Sequence, residues 1–163
     1  MLKKEKGFTL IEILIVIVVI GILAAIAIPA VRGMRDQAKM SEVEGDFKTI
    51  KTAIEAYFLR YDAYPDTPNS QPENPASGSS WQTNLLNASP RILDQALADP
   101  FGAVKGDSYY YYEDSEADNQ NWVVISVGPD QTLNSSDYQP LKSDTTVTKV
   151  GDDIVVSNLN VVE

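Results

Sequence analysis

The chain has 163 residues, 13 basic against 23 acidic side chains, and neither cysteine nor histidine. That length suits one domain plus an appendage, and the missing residue types exclude disulfides, thiolate or imidazole metal sites, Cys nucleophiles and Ser-His-Asp catalysis. A net charge of −10 also disfavours the phosphate-neutralising contacts on which nucleic-acid affinity depends.

In chain order, residues 1–7 form a short basic stretch in which Lys3, Lys4 and Lys6 outweigh Glu5. Residues 8–31 follow as 24 almost wholly apolar positions whose one ionisable side chain is Glu12. As a helix rising 1.5 Å per residue, such a run reaches roughly 36 Å, enough to cross a bilayer core of about 30 Å. The lysines before it predict a cytoplasmic N-terminus and a translocated C-terminal domain. A cleavable secretory signal is the competing reading, with Ala25-Ile26-Ala27 as its cleavage site. The length of the run and the carboxylate inside it argue against that reading.

Glu12 is the residue that demands an explanation. An ionised carboxylate in a membrane span costs about 2.5–3.5 kcal/mol on insertion scales. No basic residue three or four positions away can pair with it. Cutting the chain between Gly7 and Phe8 would create an α-amino group at the same depth. A neighbouring copy displaced by about one helical turn could then offer that amine to Glu12. Further along, Pro29 removes one helical hydrogen bond and predicts a kink or local melting.

Beyond Pro29 the pattern turns amphipathic. Met40, Val43, Phe47, Ile50, Ile54, Tyr57 and Tyr61 recur at spacings of three and four, an apolar stripe suited to packing on a sheet. The continuous helix would run about 50 residues. Charges balance across 32–62, six against six, whereas from residue 63 onward there are 15 acids and 4 bases.

Residues 62–89 read as a linker, because Pro65, Pro68, Pro72 and Pro75 alternate with Asn and Ser. Ser89-Pro90 supplies an N-cap and first-turn proline for a short helix to about Leu97, and Asp99-Pro100-Phe101-Gly102 reads as a turn. Strands are predicted over 108–113 and 122–127, joined by a polar connection at 114–121, with weaker ones at 145–150 and 154–156. Tyr109 to Tyr112 should alternate, two toward the core and two outside. The fold class is α+β: a long helix packed on a small antiparallel sheet.

The string Gly7-Phe8-Thr9-Leu10-Ile11-Glu12, with its basic leader and apolar run, resembles the type IV pilin and type II secretion pseudopilin family. The resemblance implies a pilin-like fold divided into leader 1–7, transmembrane and assembly helix 8–31, amphipathic half 32–61 and extracytoplasmic globular domain 62–163. It implies that a prepilin peptidase cuts after Gly7 and methylates Phe8. Glu12 then serves as the assembly carboxylate, and Pro29 falls where the family carries a proline. The partners implied are further copies in a filament, an inner-membrane assembly platform and minor pseudopilins or pilins. The protein would sit in the bacterial inner membrane by one span and act as a structural subunit, with no catalytic motif.

Farther on, the Asp-Pro-Phe-Gly turn, the Tyr-rich strand and Ile125-Ser126-Val127-Gly128-Pro129-Asp130 are similar to the major pseudopilin of type II secretion. In that subgroup a loop binds calcium. Carried over, Asp130, Asp152 and Asp153 are the implied ligands, with hard oxygens of the kind the ion requires. Asp130 and Asp152 lie 22 positions apart, farther than the family loop, so Asp137 or Asp144 are alternatives. Without cysteine, something other than a disulfide has to close this end. A type IV pilin is the second reading, and a membrane-tethered binding domain that never polymerises is the third.

Overall fold

A computed structural model describes residues 7–66, 80–114, 121–134, 146–148 and 151–162. The chain divides into two compact units, residues 1–38 and 39–163. Helix α1, Leu10–Tyr61, spans 52 residues through both. It starts where Thr9 caps it, the Thr9 carbonyl accepting from the amides of Glu12 and Ile13 at 3.2 and 3.4 Å. It ends at Asp62, whose φ of 53° is left-handed and whose amide closes onto the Phe58 carbonyl at 2.8 Å.

In the first unit the large apolar residues of α1 whose side chains are described are exposed, from Leu10 to Val31. The helix continues unbroken through Pro29, so the local melting allowed by the sequence is not adopted. This part of α1 is long and apolar enough to cross a membrane.

In the second unit α1 buries Val43, Phe47, Ile50, Ala53 and Ile54. The predicted stripe is correct in its middle and too long at both ends, since Met40 is 39 % and Tyr61 45 % exposed. Tyr61 lies in the last helical turn, where its ring meets Tyr57 at 4.5 Å instead of the core. Ala53 was missed because a stripe traced through large side chains skips a small residue on the same face.

The core sheet has strand order β1-β2-β4, all antiparallel. Its strands are β1 (Tyr110–Asp114), β2 (Asn121–Ser126) and β4 (Ile154–Ser157). Central β2 is buried along its whole length. Register places Tyr111 opposite Val124 and Glu113 opposite Trp122; on the other face Tyr112 meets Val123 and Tyr110 meets Ile125. Tyr109, Tyr111, Trp122 and Val124 share the main core with α1. The expectation of two outward tyrosines fails because the second face is covered as well: Tyr112, Val123 and Ile125 pack with Leu133, Val155 and Leu159. A second, two-stranded sheet pairs β3 (Thr146–Thr148) with β5 (Asn160–Val162) in parallel, a pairing the sequence did not suggest.

The expected helix from Ser89 to Leu97 is absent. Helix α2 forms earlier, at Ser80–Asn87, within the stretch read as linker. Trp81 and Leu85 anchor it by burial. The following loop, which carries a cis Ser89–Pro90 bond, directs its amides to α2. Ile92 and Leu93 donate to the Leu85 carbonyl at 3.2 and 3.4 Å. The Gln82 side chain grips both the amide and the carbonyl of Leu97, at 2.7 and 2.9 Å. With those groups satisfied, the loop gains nothing by coiling. Residues 1–6 of the leader, Pro68, Pro72, Pro75, Asp137, Asp144 and most of the 114–121 connection lie outside the described residues.

Candidate functional site

Two places concentrate polar chemistry. The first is the start of α1. Thr9 and Glu12 stand three apart as cap and third helical residue, the spacing of a capping box. The Thr9 hydroxyl donates to Glu12 Oε2 at a long 3.5 Å. That is weak help for a carboxylate surrounded by Leu10, Ile11, Ile13, Leu14 and Ile15, all exposed. Among the described residues no basic side chain is paired with Glu12. Gly7 and Phe8 are exposed just before the helix. Thr9 as a cap was legible in the sequence and was not drawn from it.

The second place is the loop that leaves β2. Its base is Asp99, buried beneath the turn predicted at Asp99-Pro100-Phe101-Gly102. The Gly102 amide closes that turn on the Asp99 carbonyl at 3.0 Å. Asp99 Oδ1 accepts from the Phe101 amide at 2.9 Å and the Ser126 hydroxyl at 2.8 Å, and Oδ2 from the Val127 amide at 3.1 Å. Burial pushes this carboxyl above its ordinary range, while these bonds pull it back. One side chain thus ties the turn to the end of β2 and fixes where residues 127–130 emerge.

From there the chain turns at Gly128, with φ 65°, and the Gln131 amide bonds to the Gly128 carbonyl at 3.1 Å. A Cβ at Gly128 would collide with the Asp152 carbonyl oxygen, so this approach requires glycine. Asp130 and Asp152 are brought together as the sequence implied: the Asp130 amide donates to Asp152 Oδ2 at 2.8 Å. Asp153 joins them through the Asn134 amide, which donates to its Oδ2 at 3.1 Å. Asn134, a residue the sequence reading passed over, donates its side-chain Nδ2 to Asp130 Oδ2 and to Asp152 Oδ1, both at 3.0 Å. Those bonds, with the Thr132 amide, hold the Asp130 carboxyl below its usual range.

Asp153 is the opposite case. It is fully buried, and its Oδ1 has no hydrogen-bond partner among the described residues. Burial first, then the charges of Asp152, Asp130 and Asp99, raise its carboxyl to about 6. The three acids form a hydrogen-bonded set and not a cage: among the described residues no three Asp, Glu, His or Cys side chains converge as metal ligands. The Asn134 amide lies between the carboxylates that would have to converge.

Sequence comparison adds two family matches in tandem. The prokaryotic N-terminal methylation motif covers residues 2–28. The family described as type II secretion system protein G covers residues 30–141, more than half the chain. Among individual proteins, the type II secretion system core protein G of Pseudomonas aeruginosa is 48% identical over 65 residues, 40% of this chain and 46% of that protein. The corresponding protein of Escherichia coli is 28% identical over 135 residues, 82% of this chain and 88% of that one. The type IV major pilin protein PilA of Myxococcus xanthus is 33% identical over 132 residues, 77% of this chain and 60% of that one. Against the first of these relatives the chain spans about half their length. No solved structure matches it.

Proposed function

The chain belongs to the type II secretion system protein G family, and from that membership we propose that it is a structural subunit of a type II secretion pseudopilus. It is held in the inner membrane by the first part of α1, N-terminus in the cytoplasm and globular domain outside, and polymerises through the same helix. The carrying observation is the pairing of a methylation motif with an exposed apolar helix that holds one carboxylate, Glu12, with no cation beside it among the described residues. Helices stacked in a filament bury that surface. Leader removal after Gly7 by a prepilin peptidase supplies the Phe8 amine, methylated, that neutralises Glu12 of the next copy. The assembly platform and minor pseudopilins complete the machine.

A surface type IV pilus is the second reading, favoured by the long match to the Myxococcus xanthus pilin. Filaments confined to the cell envelope support the first reading and filaments on the cell surface the second. The decisive measurement is the intact mass of membrane-extracted protein together with filament yield for Glu12→Ala. We expect loss of residues 1–7 plus one methyl group, and a variant that is anchored but unassembled. Normal filaments from Glu12→Ala sink the pairing of acid and amine.

We further propose that the loop after β2 holds calcium. Its donors are hard carboxylate oxygens, and the unpartnered buried Oδ1 of Asp153 is an acceptor awaiting positive charge. Asp130, Asp152 and Asp153 would hold the ion, which would offset their mutual repulsion and close this end in place of a disulfide. Millimolar calcium should raise the melting midpoint of the full chain in detergent, and Asp130→Ala should remove the gain.

A further inference from the structure

We propose that the Asn134 carboxamide is a built-in substitute for a cation: it closes residues 128–134 onto 151–153 when no ion is bound, and gives way when one arrives. This rests on the calcium reading of the loop and adds to it the residue that sets how far the loop depends on metal.

A primary amide carries two N–H donors, and Asn134 directs its Nδ2 to two carboxylates from distant parts of the chain, Asp130 Oδ2 and Asp152 Oδ1, each at 3.0 Å. Its backbone amide meets the third acid, Asp153, at 3.1 Å. One neutral residue therefore touches all three acids, with its partial positive charge where a cation's full charge would lie. The backbone is shaped around it. A Cβ on Gly151, where φ is 68°, would come within 2.7 Å of that same nitrogen.

A neutral amide does only part of an ion's work. Asp153 Oδ1 is buried with no donor among the described residues, an oxygen that Asn134 leaves unmet. An ion taking six to eight oxygens would use it. The NH₂ group sits between Asp130 Oδ2 and Asp152 Oδ1, so an ion bridging those two oxygens would need the place it occupies. Cation entry therefore requires the carboxamide to move off them, and each ion bound forfeits two hydrogen bonds. The result is a loop that stays closed without metal and takes metal less tightly than its acids alone would.

The test uses the full chain in detergent, with thermal midpoints by circular dichroism in chelator and in millimolar calcium, and magnesium as the control ion. Asn134→Asp keeps the shape, removes both donors and adds an acid. We expect it to melt roughly 5 °C or more below the unmodified chain in chelator, to expose 128–134 to protease there, and to gain more from calcium. Asn134→Ala, which adds no charge, should show the same loss in chelator. A midpoint equal to that of the unmodified chain in chelator for Asn134→Ala, or a calcium gain for Asn134→Asp no larger than the unmodified chain's, overturns the proposal. The two readings fail separately. If calcium stabilises Asn134→Asp but not the unmodified chain, the substitute stands and natural calcium loading falls. If calcium stabilises the unmodified chain while both variants match it in chelator, calcium stands and the substitute falls.

Discussion

Asp153 carries a burial that its charge opposes. Its folded carboxyl titrates at about 6 against an ordinary 3.8, so the folded state holds this proton more tightly than the unfolded chain does. Stability contributed by the protonated acid is complete below about pH 4 and is lost as pH rises through about 6. In chelator, the melting midpoint should therefore fall between these limits, by on the order of 5–10 °C. Asp153→Asn should flatten that slope, measured as midpoint against pH. An unchanged slope would place the burden on other acids. Gly128 and Gly151 belong to the same scale, because each admits a backbone or side-chain approach that a Cβ would block.

Among the elements, α1 meets the residue that leads into β1 through a polar contact set in an apolar interface. The Tyr109 hydroxyl donates to Asp46 Oδ2 at 2.7 Å, while its ring meets Phe47 edge-on at 5.3 Å. Burial and the Asp46 bond both push the phenol upward, so it stays protonated and remains a donor throughout the working range. Tyr109→Phe keeps the ring contact and deletes the donor. Because Asp46 is only partly buried and regains water, the expected cost is about 1–2 kcal/mol, read from denaturant unfolding. A larger loss would mean that the bond also fixes the helix register. The helix α2 shows the reverse case, in which two buried side chains, Trp81 and Leu85, decide where a short helix forms against the local proline signals.

For the whole molecule, the deciding feature is an apolar helix segment left exposed among the described residues. Under the proposed function a membrane covers it first and a filament second, and both environments would make the carboxylate of Glu12 costly. Glu12→Ala separates the two environments: anchoring follows the summed apolar area and should survive, whereas under the proposed acid–amine pairing assembly should drop to background. Electron microscopy of sheared or envelope fractions reads the outcome directly.

The sequence alone determined the features that depend on local pattern. The apolar run, its single acid, the 3.6-residue stripe from Val43 to Ile54 and the β-branched strands over 122–126 are written in side-chain order, and the structure keeps them. The implied acids Asp130, Asp152 and Asp153 do meet. Tertiary structure decided what depends on residues distant in the chain. It buried both faces of the tyrosine strand, because Leu133, Val155 and Leu159 cover the second face. It placed α2 ahead of Pro90, and paired β3 with β5 in parallel. It also set Asn134 among the acids, since an amide's partners 18 positions away leave no trace in local spacing. Periodicity reports which face of an element is apolar; only packing decides what that face meets.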